Sequence, residues 1–369
     1  MNRKKWIITW FILTAMIPLA GIFNYLVDPY GLNNFIIINK INSKKNSKTT
    51  LTTRFKSKML NNGNYNTIML GSSKIGVMNP EIIDKYLGAK TFNLAYPGSV
   101  AEMQNKLFFY ALKSNDIKNV IYGIDFLSFN ESRVVKNDFQ EFYDLQNKIE
   151  NKEKILNFDL YLNLETFGKS ITLLVENILE TKELEPIYLS NGMRDHINYI
   201  EDLENKMYDF DKEVNREIKH YYGTGGIYKE YNFSYEYLKY FREIITFCRK
   251  NNIKVWVYIP PMHSDLFNAL EPAGYFDKFE LFKRELLKIT DFIDFTGNNT
   301  INMDKNNYWD GAHLRQELTE VLMSKIFDDR SVKAPKDFGV LVTKDNIEEH
   351  LSNLREQIDS YDLNKTIYK

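Results

Sequence analysis

An uncharged apolar run lies close to the N-terminus of the chain. No residue from Trp6 to Val27 is charged, and as a helix this run would extend roughly 33 Å, which is enough to cross a bilayer. Trp6, Trp10 and Tyr25 lie near its ends, where amphipathic aromatic side chains favour the membrane interface. We therefore predict a cytoplasmic N-terminus over residues 1–5 and a transmembrane anchor over residues 6–27.

The basic residues that flank this run indicate its orientation. Positions 3–5 are basic, which favours a cytoplasmic N-terminus, whereas three lysines between positions 40 and 45 lie on the opposite flank. We expect a single-pass membrane protein with the bulk of the chain outside the cytoplasm, in the periplasm or at the cell surface. A cleaved signal peptide is the alternative, although the run is longer than a usual signal-peptide core and no small-x-small site follows it.

Beyond residue 64, short apolar runs alternate with helical patterns. The preceding segment, 28–64, is rich in Asn, Lys, Thr and Ser around its centre, which is typical of a solvated stalk. The runs of strand character cover residues 65–71, 91–95, 119–126, 253–259 and 292–297. The helical patterns between and after them cover residues 79–88, 99–112, 235–251, 276–288 and 314–327. This alternation predicts an α/β domain with a parallel central sheet over residues 65–328.

Two stretches depart from the alternation. Residues 130–231 are charged and favour helix, so we predict a mainly helical insertion there. Residues 329–369 are polar and charged, and we expect a loosely packed C-terminal appendage. The histidines in these two stretches, His196, His220 and His350, are expected to be solvated.

Composition narrows the class of protein. Lys and Arg total 48 against 49 Asp and Glu, a net charge of −1 that argues against nucleic-acid binding. Hydrophobic residues make up 44% of the chain, which excludes wholesale disorder. The single cysteine, Cys248, forbids an intramolecular disulfide and a cysteine-based zinc cage, and its place on the apolar side of a helix predicts a core position.

Reactive residue types follow several of the predicted strands. In an open α/β sheet such groups belong at the carboxyl ends of the strands. Four segments have this character: Leu70–Gly76 with Ser72 and Ser73, Asn93–Ser99 with Gly98, Tyr122–Phe129 with Asp125, and Tyr308–Leu314 with Asp310 and His313. Serine needs a base to become a nucleophile, and the base needs an orienting carboxylate, so Ser73, His313 and Asp310 form a candidate catalytic set.

The order of these blocks resembles the SGNH or Gly-Asp-Ser-Leu hydrolase superfamily, in particular its membrane-anchored branch of alginate O-acetylation proteins and teichoic acid D-alanine transfer proteins. The resemblance covers about residues 65–328 without the insertion. It implies a three-layer α/β sandwich, with Ser73 as nucleophile and Asp310 and His313 as its partners. It also implies an oxyanion hole formed by the N–H groups of Ser73 and Gly98.

The chain departs from the superfamily pattern at two positions. Position 72 is Ser where the hydrolases usually have Asp, and position 125 is Asp where they have an oxyanion-binding Asn. An ionised carboxylate cannot donate a hydrogen bond, so either Asp125 has a structural or substrate role or activity is weak or absent. Ser72, Asn93, Asp125 and His263 are candidate substrate-binding residues, with a loop hydrogen bond as the alternative for His263.

The leading functional prediction is a membrane-anchored serine esterase or O-acyltransferase that modifies a cell-surface polysaccharide or similar glycopolymer through an acyl-enzyme. We predict no cofactor and no metal, an acyl donor or glycan as substrate, and a membrane-bound acyltransferase as a further partner. The alternative is a catalytically weak or inactive scaffold that binds glycan or partners in a polymer-modification complex. A metal site at Asp310, His313 and His263 is a third interpretation, with few additional ligands in suitable positions.

Overall fold

The computed structural model describes residues 3–32, 36–46, 52–134, 139, 158–181, 184–186, 188–194 and 197–363. The chain divides into two compact units, which are described separately. The first unit comprises Met1–Lys58, Lys136–Ser190 and Asp195–Asn198. The second comprises Met59–Val135, Asn191–Arg194 and Tyr199–Lys369.

The described residues form helices and strands in an alternating order. The α-helices are α1 (Arg3–Val27), α2 (Thr52–Asn61), α3 (Ser73–Gly76), α4 (Pro80–Leu87), α5 (Ala101–Ser114), α6 (Phe158–Tyr161), α7 (Leu164–Ile178), α8 (Ile197–Glu204), α9 (Phe210–Tyr222), α10 (Tyr235–Lys250), α11 (Ser264–Asn268), α12 (Phe276–Leu287), α13 (Thr319–Ile326) and α14 (Ile347–Ser360). The strands are β1 (Lys44–Asn46), β2 (Thr67–Leu70), β3 (Thr91–Asn93), β4 (Asn119–Gly123), β5 (Leu184–Pro186), β6 (Lys254–Ile259), β7 (Phe292–Asp294) and β8 (Val340–Val342). Single 3₁₀ turns span Phe126–Phe129, Lys305–Asn307 and Gln316–Leu318.

A six-stranded sheet forms the centre of the second unit. Its order is β3-β2-β4-β6-β7-β8, and every pair is parallel except β7 with β8. Every residue of β2 is buried, as expected for a strand covered on both faces. This sheet, with helices between its strands, confirms the predicted α/β class with a mostly parallel central sheet.

The strand order reverses between β2 and β4. The chain passes from β2 to β3 on one side and then to β4 on the other, so β2 and β4 are neighbours with diverging connections. In open α/β sheets such a reversal leaves a crevice at the carboxyl ends of the two strands, where ligands bind. The topology therefore predicts a ligand site among the residues that follow β2 and β4.

Local sequence explains the helix that follows the β2 turn. The side chain of Asn79 accepts a hydrogen bond from the N–H of Glu81 at 3.0 Å, and Pro80 occupies the first helical position of α4. Gly88 ends the helix with φ +58°, a left-handed conformation that favours glycine. The observed helix agrees with the helical pattern predicted over residues 79–88.

The C-terminal segment belongs to the second unit. β8 extends the sheet antiparallel to β7, and α14 buries an apolar stripe formed by Ile347, Leu351, Leu354 and Ile358. His350 is also buried, and its Nε2 lies 2.7 Å from a carboxylate oxygen of Asp294 at the end of β7. The predictions of a loose appendage and of a solvated His350 are therefore wrong. The segment is polar overall, and the prediction overlooked these four apolar residues at helical spacing.

The segment predicted as a stalk contains folded elements. β1 pairs antiparallel with β5 in the first unit, and Phe55 on α2 is buried. Lys45 is buried as well, and its ammonium donates hydrogen bonds to the carbonyl oxygens of Val27 at 3.0 Å and Asp28 at 2.8 Å. A lysine at this place caps the C-terminus of α1 and complements the helix dipole. The described parts of 28–64 are thus not a solvated stalk, because their polar side chains serve as internal hydrogen-bond partners.

In its described parts, the segment predicted as an insertion is mainly helical. It contains α6 and α7 in the first unit and most of α8 and all of α9 in the second. His196 lies outside the described residues, and His220 is exposed. Cys248 is buried on α10, which confirms its predicted core position.

Among the described residues, α1 is the helix that is long and apolar enough to cross a membrane. Its most apolar window has a mean hydropathy of 2.0, and none of that window is buried within the protein. Length and composition alone give this result, and a signal sequence has the same properties.

Candidate active site

Ser73 follows the β2 strand through a tight turn. Gly71, between β2 and this turn, has φ +144°, and a Cβ there would collide with the carbonyl oxygen of Gly123 at the end of β4. The absence of a side chain lets the two strand ends approach each other. Ser73 then opens α3 and is half-buried.

His313 joins Ser73 to Asp310 by hydrogen bonds. The imidazole Nε2 lies 2.9 Å from the Ser73 hydroxyl oxygen, and Nδ1 lies 2.8 Å from the Asp310 Oδ2. With the proton placed on Nδ1, the ring donates to the carboxylate and accepts from the serine, an assignment that follows from the hydrogen-bond network. The three residues that the sequence selected are therefore connected in the geometry that a serine nucleophile requires.

A closed loop holds the Asp310 carboxylate in place. An antiparallel bridge joins Tyr308 to Leu314, and the loop between them turns so that Asp310 Oδ1 accepts hydrogen bonds from the N–H groups of Ala312 and His313, both at 2.8 Å. Burial raises the pKa of Asp310, but the neighbouring His313 and these hydrogen bonds together bring that pKa below its usual range. Asp310 is thus an anion fixed beside the imidazole.

The turn that carries Gly98 is tied to the end of β2. The N–H of Tyr96 donates to the carbonyl of Gly71 at 2.9 Å, and the Ser99 hydroxyl donates to the same oxygen at 3.0 Å. Gly98 between them has φ +63°. The backbone of the Gly98 turn is therefore fixed against the residue that precedes the Ser72-Ser73 turn.

Asp125 faces the turn before Ser73 and is buried. Its carboxylate accepts a hydrogen bond from the Ser72 hydroxyl at 2.8 Å and lies 3.5 Å from the ammonium of Lys74. It also caps the following 3₁₀ turn by accepting from the N–H of Leu127. These contacts agree with the structural alternative given for Asp125, and substrate binding by Ser72 and Asp125 stays a prediction.

Asn93, at the end of β3, is hydrogen-bonded to the backbone of α3 and of the residues after it. Its side-chain amide donates to the carbonyl oxygens of Ile75 at 2.9 Å and Met78 at 3.0 Å, and its own oxygen accepts from the N–H of Ala95. The residue is fully buried. Its amide group connects the end of β3 to the segment that begins with α3, and substrate binding by Asn93 stays a prediction.

His263 lies behind the loop that holds Asp310. Its backbone N–H donates to the carbonyl of Gly311 at 2.9 Å, and its Nδ1 accepts from the N–H of Asp265 at 3.2 Å as the cap of α11. Burial lowers the pKa of its imidazole. These contacts agree with the alternative that His263 makes a structural hydrogen bond within its loop.

Sequence reasoning missed three polar residues around the site. Lys74 is buried beside Asp125, Arg133 donates from Nη2 to the carbonyl of Gly98 at 3.4 Å, and Glu217 is buried on α9. Burial, reinforced by the negative charge of Asp310, raises the pKa of Glu217 to about 7. Lys74 could have been noticed as a charge between apolar residues after a buried strand, whereas Arg133 and Glu217 carry no local signal.

The described residues contain no group of three or more His, Cys, Asp or Glu side chains arranged to hold a metal ion. No protein-family model matches the chain, and comparison with the curated proteins gives no significant match.

Proposed function

We propose that this protein is a serine esterase or O-acyltransferase that works through an acyl-enzyme. The observation that carries the proposal is the hydrogen-bonded series Ser73–His313–Asp310, with a half-buried serine at one end and a buried anion at the other. A structural histidine has no evident need for hydrogen bonds to both an oriented carboxylate and a serine hydroxyl.

Each group has a defined part in the reaction. The Ser73 oxygen attacks the carbonyl carbon of an ester while His313 Nε2 takes the hydroxyl proton. The tetrahedral intermediate collapses, the carbon–oxygen bond to the leaving alcohol breaks, and His313 returns the proton to that oxygen. Water or a sugar hydroxyl then attacks the acyl-enzyme in the same way, with His313 again as the base. Asp310 keeps the imidazole in the tautomer that can accept the proton.

The oxyanion would be stabilised by backbone groups. The N–H of Ser73 lies in the first turn of α3, where no intrahelical acceptor is in reach, and the Gly98 turn is tied to the same strand end. Asp125 cannot serve here, because its carboxylate is an acceptor and faces Ser72 and Lys74. We propose a two-donor oxyanion hole in place of the three donors of the SGNH pattern.

We also propose membership of the SGNH superfamily, as a three-layer sandwich. The parallel sheet, the serine after its first strand and the Asp-x-x-His loop near the end of the domain support this assignment. Ser72 and Asp125 depart from the family pattern, yet they are hydrogen-bonded to each other. The departures therefore form one paired arrangement.

We propose that α1 stays attached as a membrane anchor and that the bulk of the chain lies outside the cytoplasm. Asn24, near the end of α1, is fully buried and donates to the carbonyl of Tyr161 at 2.7 Å, and Phe23 packs on Phe167 with ring centroids 5.4 Å apart. A segment removed by signal peptidase would not supply core contacts to the mature fold. An anchored esterase or transferase of this kind suits a cell-surface glycopolymer, with a membrane-bound acyltransferase as a partner that supplies acyl groups.

The second candidate is a scaffold of low activity that binds glycan or partners. The observation that favours it is Asp125, which places a carboxylate where the family pattern has a hydrogen-bond donor. A third donor would then be lacking for the transition state, which in other enzymes costs roughly 10²–10³-fold in rate.

A serine-directed fluorophosphonate tests the proposal directly. The full chain in detergent is incubated with the probe and with p-nitrophenyl acetate, beside Ser73→Ala, His313→Ala and the exposed-serine control Ser331→Ala. We expect labelling and turnover that are lost in the first two variants and kept in Ser331→Ala. A folded wild type with neither labelling nor turnover would favour the scaffold, and glycan binding would be measured next.

A further inference from the structure

An apolar stripe runs along the exposed side of α7 in the first unit. Leu164, Ile171, Val175 and Ile178 are exposed by 86%, 44%, 46% and 56%. At about 100° per residue these four side chains project within a sector of roughly 60°. Leu162 and Leu179, just beyond the two ends of the helix, are exposed by 52% and 68%.

The opposite side of α7 is buried and mostly polar. Thr166, Ser170 and Asn177 lie there together with Leu173. A surface helix of a water-soluble domain has the reverse arrangement, with its apolar side inward. The exposed side of α7 is therefore more apolar than the buried one, which is expected where the surroundings of the protein are themselves apolar.

Hydrogen bonds explain why the polar side faces inward. Thr166 Oγ1 lies 3.0 Å from the hydroxyl of Tyr30, and Asn177 exchanges two hydrogen bonds with the backbone of Lys44, at 3.1 and 3.0 Å. These contacts tie α7 to the segment that follows α1. The orientation of α7 is thus fixed by specific partners, and its apolar stripe is left outside.

The N-terminal end of α7 lies against the last turns of α1. A Cβ on Gly21 would lie 2.6 Å from Leu162 Cδ2, and Phe23 packs on Phe167. Gly21 is six residues before the end of α1, which corresponds to roughly 9 Å along the helix axis. If α1 crosses the bilayer, the start of α7 lies at the depth where α1 leaves the hydrocarbon.

The charged residues of α7 are confined to one flank of the stripe. Glu165, Lys169 and Glu176 project about 100–140° away from Leu164 on the helical wheel. Glu165 and Lys169 form an ion pair at 2.8 Å. A helix that lies in the membrane interface needs this division between a lipid-facing sector and a charged sector that reaches water or headgroups.

We propose that α7 is a second membrane contact at the leaflet from which α1 emerges, with its apolar stripe against lipid acyl chains. The assignment rests on α1 being the proposed anchor. The two helices together hold the first unit at the membrane surface, at a fixed height and in a fixed orientation.

Single-cysteine labelling of the full chain in phosphatidylcholine–phosphatidylglycerol vesicles tests this assignment. The native Cys248 is buried, and burial raises its pKa to about 12, so the unmodified chain serves as an unlabelled background. An environment-sensitive fluorophore is placed at Ile171→Cys or Val175→Cys. Lys169→Cys is the matched control on the charged flank, and Phe11→Cys is the reference within α1.

We expect the labels at 171 and 175 to be quenched by nitroxide-bearing lipids and to be quenched by aqueous iodide roughly fivefold less than the label at 169. Equal iodide quenching at 169 and 175, with the label at 11 still in lipid, would overturn the role of α7 and leave the anchor intact. A water-exposed label at 11 would overturn the anchor as well.

Shielding of position 175 from both quenchers, lost on dilution of the protein in lipid, would assign the stripe to a second copy of the chain instead of lipid. Fluorophosphonate labelling of Ser73, measured on the same variants, reports on the proposed chemistry independently of these outcomes.

Discussion

The imidazole Nε2 of His313 lies 2.9 Å from the hydroxyl oxygen of Ser73, although 240 residues separate them in the chain. One residue follows the first strand of the large sheet, and the other lies in a loop near the end of the domain. Two distant loops converge in this way because parallel strands place all their carboxyl ends at one edge of the sheet.

Replacing Asp310 by Asn tests the orienting carboxylate. The amide oxygen can still accept from the N–H groups of Ala312 and His313, so the loop should keep its shape. The amide N–H₂ would favour the wrong imidazole tautomer, and we expect kcat for ester cleavage to fall by roughly 10³–10⁴-fold. The rate of p-nitrophenyl acetate cleavage at saturating substrate, compared with that of wild type, measures this loss. An activity within tenfold of wild type would mean that Asp310 does not orient the base.

Breaking the Asp125–Lys74 pair should destabilise the fold. Asp125→Asn leaves a buried ammonium without its counter-charge, which costs about 3–5 kcal/mol in comparable buried pairs. The double variant Asp125→Asn with Lys74→Met removes both charges and should recover most of that loss. Urea unfolding in detergent gives the comparison. If Asp125→Asn instead kept its stability and hydrolysed esters faster, the carboxylate would be an obstacle to catalysis and not a support.

Glu217 should make the protein less stable as the pH rises. Its folded pKa of about 7 exceeds the ordinary value of 4.5, so between these values the folded state binds more protons than the unfolded state. The penalty is absent below pH 4.5, grows to pH 7 and is complete above it, amounting to roughly 3 kcal/mol.

Comparison of Glu217→Gln with wild type isolates this effect. We expect the variant to gain stability relative to wild type at pH 8 and to lose that advantage at pH 4.5, as measured by thermal unfolding in detergent. Glu230→Gln, at an exposed position, is the control and should show no such difference. A difference between Glu217→Gln and wild type that does not change with pH would show that the carboxyl is not held protonated.

Because β2 and β4 approach each other closely at Gly71, we expect Gly71 and Gly76 to differ in how well they tolerate a side chain. A methyl group at Gly71 would collide with the carbonyl of Gly123 and force φ +144° on alanine, so Gly71→Ala should cost about 2 kcal/mol or more and displace Ser73. A Cβ at Gly76 meets nothing within 4 Å, and Gly76→Ala should be neutral or slightly stabilising. Equal unfolding midpoints for the two variants would contradict this account of the turn.

Local signals in the sequence were sufficient to locate the five parallel strands of the central sheet, though not β8, and the Ser73, Asp310 and His313 set. Buried strands that end in glycine, caps such as Asn79 and a short Asp-x-x-His spacing are all readable within a few residues. The catalytic assignment of the three residues stays a prediction, now with a geometry that supports it.

Long-range pairings could not be read in this way. Asp125 looked like a failed oxyanion donor because its partners, Ser72 and Lys74, lie about fifty residues earlier. His350 looked solvated because Asp294, which binds it, lies 56 residues away. In each case the polar residue is explained by a partner on another element, which neither composition nor periodicity reports.

The lysine cap on α1 has a practical consequence for how the protein can be produced. Lys45 donates to the carbonyl oxygens of Val27 and Asp28 and is buried. A truncated chain that begins at residue 29 would lack both acceptors, so the Lys45 ammonium would lose these hydrogen bonds inside the first unit. It would also lack the aromatic contact of Phe23 with Phe167. Soluble expression by simple truncation should therefore yield misfolded material, and purification requires that the hydrophobic helix be kept and solubilised with the rest.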